Sequence, residues 1–103
     1  MALKLSRFDA AKHFDTPEAQ ARLVDDALAS GSTAYIAHAL GIVARARGMS
    51  DLARETGLSR QALYTALSEG GNPSLDTVMK VTKALGLELH AGATIAERER
   101  ARA

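Results

Sequence analysis

Residues 49–67 read MSDLARETGLSRQALYTAL, and the spacing inside this stretch governs how the rest of the chain is understood. Ser50 can cap a helix of about two turns, Asp51 to Thr56, and Ser59 can cap a second from Arg60 to about Glu69. Between them Gly57 supplies the positive φ that lets the chain reverse in about three residues. Ala53 is small where a crossing helix must come close. Leu52, Leu58 and Leu63 fall at the spacing of a wedge that fixes the crossing angle. Two short helices and a tight glycine turn predict a helix-turn-helix.

The polar positions left over are Ser59, Arg60, Gln61, Tyr64, Thr65 and Ser68. All are expected on the outer face of the second helix, the face that such a unit lays in the major groove. Arg60 can bind guanine in bidentate fashion and Gln61 can do the same for adenine. Ser59 and the N–H groups at this helix start suit a phosphate. Tyr64 and Thr65 suit backbone or a thymine methyl, and Ser50 and Asn72 suit further phosphate anchors. The plain alternative is a helical hairpin whose outer face is merely solvated. The coincidence of small residue, glycine, wedge and polar face favours DNA.

Outward from this stretch the chain reads as short helices punctuated by glycine. Asp15-Thr16-Pro17-Glu18 is a helix start, with Pro in the first turn and a carboxylate near the positive end of the dipole. Ala19, Leu23, Ala27 and Leu28 are expected to share the buried face, and Gly31 to stop the helix. Ser32 can cap the next, where Tyr35, Ile36, Ala39, Leu40 and Val43 form an apolar stripe. Arg45 and Arg47 suit its last turn, Gly48 closes it, and His38 is expected at the core or its boundary. After the Asn72-Pro73 loop, Ser74 caps Leu75 to Leu85, with Leu75, Val78, Met79, Thr82 and Leu85 predicted inward. Leu87 to His90 alternates and reads as one short strand. Thr94 to Ala103 has only Ile95 as an anchor and is expected to fray.

These elements predict an all-α bundle of five to six helices with a short C-terminal strand. The expected parts are residues 1–31 as a helical segment packed on the bundle, 32–91 as the DNA-binding unit and 92–103 as a charged tail. The chain has 103 residues, 47% of them hydrophobic, with no Cys and no Trp. That length allows a core without disulfides, and the absence of cysteine excludes thiol nucleophiles and iron–sulfur clusters. No signal-peptide h-region and no membrane-length apolar run stands in the sequence, so a cytoplasmic protein without a membrane partner is expected. A net charge of +1 argues against a bulk polycation. Locally, Arg45, Arg47, Arg54 and Arg60 stand against only Asp51 and Glu55, a weak basic bias that a phosphate-facing surface can use.

The segments Ala39 to Met49, Leu52 to Arg60, Leu63 to Ser68, Gly71 to Ser74 and Ala84 to Leu87 occur in an order and spacing that resemble a known family. From Phe8 to Leu89 the chain is similar to the HigA-like probable addiction-module antidote proteins, the antitoxins of bacterial type II toxin–antitoxin pairs. The resemblance implies a lambda-repressor-like fold of the XRE type. It also implies dimeric binding to an operator in the protein's own promoter, which represses that promoter, and neutralisation of a small RelE/ParE-like toxin. The tail after Ala91 looks like an extension beyond the family's usual end.

One recognition helix reads only a few base pairs, so a homodimer is expected to place two of them on a palindrome. Its candidate surface is Val81 to Ala91 through Leu85, Leu87 and Leu89, although these leucines can equally close the monomer core. Toxin binding is placed on residues 1–31, with Phe8, Phe14 and Leu23 as anchors or as core. An enzyme is not expected. Gly57-Leu58-Ser59-Arg60-Gln61 lacks the second glycine of a nucleophile elbow, and His13, His38 and His90 share no metal-ligand spacing. Asp25 and Asp26 diverge by about 100° on a helix. No cofactor is called for. Three readings stay open: antitoxin and autorepressor, a free-standing transcription regulator, and an interaction module that no longer touches DNA.

Overall fold

The computed structural model describes residues 14–102. Among these residues every regular element is a helix: α1 Pro17–Ser30, α2 Thr33–Arg47, α3 Met49–Thr56, α4 Arg60–Ala66, α5 Leu75–Ala84 and α6 Ile95–Arg102. Helix α1 packs along α2, α3 packs on α2, and both α4 and α5 pack on α3. None is long and apolar enough to cross a membrane.

Local capping chemistry explains most of the boundaries. The hydroxyl oxygens of Thr16, Ser32, Ser59 and Ser74 accept from the backbone N–H groups of Ala19, Tyr35, Ala62 and Thr77 at 3.0–3.2 Å. Each satisfies one of the N–H groups that a helix start leaves without an internal partner. Helix α3 is the exception. Gly48 (φ 105°) both ends α2 and begins α3, with no side-chain cap. Ser50 is thus not a cap; it stands exposed in the first turn of α3.

The core is built from Val24, Leu40, Val43, Met49, Leu52, Leu63, Leu67, Val81 and Leu85, all buried. Each contributes on the order of 1.5–3 kcal/mol through removal of its apolar surface from water. The face of α1 differs from expectation. Gln20, Val24 and Ala27 are buried, Leu23 is half-buried and Leu28 is exposed. Burial of Gln20 is tolerated because its Nε2 donates to the Phe14 carbonyl at 2.9 Å. Helix α5 departs from expectation too. Val81, Thr82 and the capping Leu85 face inward, whereas Leu75 and Met79 are 74% and 50% exposed. The buried Thr82 hydroxyl donates to the Val78 carbonyl at 2.8 Å. His38, expected near the core, is exposed on the outer side of α2.

Two further expectations are corrected beyond α5. Residues 87–90 form no strand, because no other described segment runs alongside to exchange ladder hydrogen bonds. Instead the Leu87 N–H donates back to Thr82 O at 2.9 Å and the Gly86 N–H to Lys83 O at 3.1 Å. That is a Schellman-type close to α5, with Gly86 at φ 74°. The tail, expected to fray, is helical as α6, started by Thr94 accepting from the Glu97 N–H. None of its residues is buried.

Helices α1 and α2 are clasped by Tyr35, whose hydroxyl donates to Asp26 Oδ2 at 2.6 Å. This hydrogen bond, then partial burial and the carboxylate's charge, hold the phenol above the ordinary tyrosine range. Folding therefore favours the neutral phenol. Its stabilisation is fully present below about pH 10 and is lost as pH rises through the higher folded-state value. Tyr35→Phe should cost about 0.5 kcal/mol at pH 7, the low end for a hydrogen bond because the pair is exposed. Melting curves of both proteins from pH 7 to pH 11 check this: the gap should hold to pH 10 and then close.

Candidate nucleic-acid interface

Helices α3 and α4 and the residues between them form a bracket whose inner side is apolar. Gly57 turns the chain at φ 76° and its N–H donates to the Ala53 carbonyl. The Thr56 hydroxyl donates to Leu52 O at 2.8 Å and accepts from the Leu58 N–H at 3.2 Å, which fastens the turn. Leu52 and Leu63 are buried, and Leu58 and Ala53 are half-buried against the same core. All inward positions of this short bracket are thus occupied, and its polar residues are left outside.

Ser59, Arg60, Gln61, Tyr64 and Thr65 are exposed along α4. Ser68 is not on the helix. Helix α4 ends at Ala66 with Leu67 as its cap, short of the expected Glu69. The Ser68 hydroxyl donates to the Thr65 carbonyl at 3.0 Å, and the Gly71 N–H donates to Ser68 O. These bonds turn the chain where helical hydrogen bonds would have continued, and Ser68 becomes half-buried. One shallow groove then gathers Thr65, Ser68 and Asn72 beside Ala62 and Ser74. Asn72 itself is exposed. Ser50 is exposed on α3, outside this groove.

The arginines divide into different roles. Arg47 donates to the Leu85 carbonyl at 2.9 Å and so ties the end of α2 to the end of α5. Arg54 pairs with Asp51 on its own helix. Arg45 and Arg60 both approach Tyr64, each with its guanidinium carbon 5.9 Å from the ring centroid. That distance is at the outer edge of a cation–π contact. Arg45 lies on α2, outside the motif, and sequence spacing alone did not single it out. Only the packing of α2 beside α4 brings its guanidinium to Tyr64.

Two other surfaces named from sequence are now located. Phe14 and Leu23, both half-buried, line one shallow groove with Ala19, Arg22, Asp26 and Tyr35. Phe8 lies outside the described residues. Leu85, a proposed interface residue, is buried at 2% in the core. Leu87 and Leu89 are half-buried and flank a second groove with Met79, Lys80 and Lys83.

The model of a family described as "Probable addiction module antidote protein" matches residues 4–93. The chain is also 46% identical over 88 residues to an uncharacterized protein of Haemophilus influenzae (strain ATCC 51907 / DSM 11121 / KW20 / Rd), covering 85% of this chain and 91% of that relative. No solved structure matches.

Proposed function

The chain belongs to the probable addiction module antidote family, and from that premise we propose that it is the antitoxin of a type II toxin–antitoxin pair. In this reading it binds operator DNA as a homodimer through a helix-turn-helix of the lambda-repressor-like type, represses its own promoter and neutralises a small RelE/ParE-like toxin. It acts by binding and not by catalysis, in the cytoplasm. The observation that carries the DNA part is the outward row of Arg60, Gln61, Tyr64 and Thr65 on a helix whose inner side is anchored by Leu63. A merely structural hairpin has no need for four exposed hydrogen-bonding side chains on one short helix. The groove with Phe14 and Leu23 is the toxin surface of this reading, and Met79, Leu87 and Leu89 its dimer surface.

Arg60→Ala and Gln61→Ala should each cost about 1–3 kcal/mol of operator affinity and relax sequence choice at one base pair. Titration of a promoter duplex and a scrambled duplex at fixed salt measures both effects. Equal loss on the two duplexes would place these residues on phosphate alone. No binding to either would leave a protein-binding antidote whose bracket does not touch DNA. Co-expression with the adjacent open reading frame, scored for restored growth, tests the toxin partner separately.

A further inference from the structure

We propose that Arg45 is a positioning residue of the DNA-reading face, acting through the ring of Tyr64. The proposal rests on the nucleic-acid reading above and adds to it a residue from a different helix. Arg45 is half-buried near the end of α2. Its Nη1 lies 2.9 Å from the point where a Cβ on Gly41 would stand. The side chain therefore runs back across the bare backbone of Gly41 toward α4, where its guanidinium meets Tyr64. Arg60, on α4 itself and exposed, stands at the same distance from that ring.

Tyr64 is 37% exposed and stands on a helix of seven residues. A phenol in that setting has rotamer freedom that must be lost before it can hold a ligand. A cation resting against the ring restricts that freedom ahead of binding, so less entropy is lost in the complex. A guanidinium held beside an exposed ring is placed to meet an anion. The phosphodiester backbone supplies such an anion. Arg60 has the exposure to reach it, whereas Arg45, folded over Gly41, sets the ring and Arg60 in place.

The full-length chain tests this with a promoter duplex and a scrambled duplex of equal length. Replacing Tyr35 by Phe leaves Tyr64 as the sole tyrosine, so its ring resonances can be followed by NMR without DNA. In that background Arg45→Ala should shift the Tyr64 ring signals and weaken duplex binding about five- to tenfold, with the slope of affinity against salt unchanged. In Tyr64→Ala the same substitution should have no further effect, whereas in Tyr64→Phe, which keeps the ring, it should have its full effect. Arg45→Lys keeps the charge without the planar group and should weaken binding about threefold; it carries the test if the alanine variant fails to fold. Unmoved ring signals, additive losses with Tyr64→Ala, or wild-type affinity in Arg45→Lys would overturn the proposal. So would a salt slope smaller by about one, which means Arg45 touches phosphate directly. An unsubstituted chain that binds neither duplex overturns the nucleic-acid reading instead, an outcome separable because the ring signals are read in free protein.

Discussion

Gly41→Ala is expected to destabilise the protein by about 3 kcal/mol, a fall in Tm of roughly 15 °C for a domain of this size. Gly41 is buried in α2, where its own helical backbone is unstrained, so backbone freedom is not the reason. A Cβ there would lie 2.4 Å from the carbonyl oxygen of Leu67 and 2.9 Å from Arg45 Nη1. The arginine tip can swing aside. The Leu67 carbonyl cannot, because it belongs to the backbone that caps α4 and Leu67 itself is buried. Helix α4 must therefore move away from α2, taking Arg60, Gln61 and Tyr64 with it. Thermal melts measure the stability loss, and duplex titration well below the variant's Tm measures the second effect. Gly57→Ala is the informative comparison: its added Cβ meets nothing within 4 Å, and only the positive φ is strained, at about 1 kcal/mol. Equal losses for the two variants would contradict the steric account of Gly41.

Leu63→Ala should cost about 3–4 kcal/mol, within the range for deleting a fully buried leucine and leaving a void. Leu63 is 0% exposed and is the buried residue within α4. The other side chains of that helix are exposed or, for Ala66, small and half-buried. A helix of seven residues is unstable alone, so its order depends on this anchor together with Leu67 at its cap. Urea titration checks the stability, and amide exchange across 60–66 should quicken more than across α2, whose interior is covered on several sides. Gln61→Ala on the outer face should leave stability within about 0.5 kcal/mol. A Leu63→Ala variant as stable as the parent would mean that α4 is held by something other than its inner face.

What could be read without coordinates was local. Thr16, Ser32, Ser59 and Ser74 announce helix starts because a hydroxyl cap acts over three residues. The bracket of residues 49–67 was legible for the same reason, with Gly57, Leu52 and Leu63 in their expected roles. Errors arose where distant partners decide. Periodicity puts Leu28 inside and Gln20 outside because it cannot see that the Phe14 carbonyl satisfies the buried Gln20 amide. Alternation at 87–90 suggested a strand, but a strand exists only if another one lies beside it. Leu75 and Met79 misled because an apolar side chain carries no statement about which neighbour covers it. Arg45 reads from sequence only as part of a basic bias, because the ring that gives it a role sits on another helix.

A single residue, Gly48, serves as the end of α2 and the start of α3. There is no slack in that joint, and the glycine turn at Gly57 adds little more before α4 begins. With so short a connection, a change in the tilt of α2 would pass to α3 with little lost in the joint. In the antitoxin reading proposed above, a toxin seated in the groove of Phe14 and Leu23 would bear on α1 and so on α2, which packs along it. A few degrees of tilt there would re-aim Arg60 and Gln61 on α4, and duplex affinity measured with and without the toxin would read that leverage.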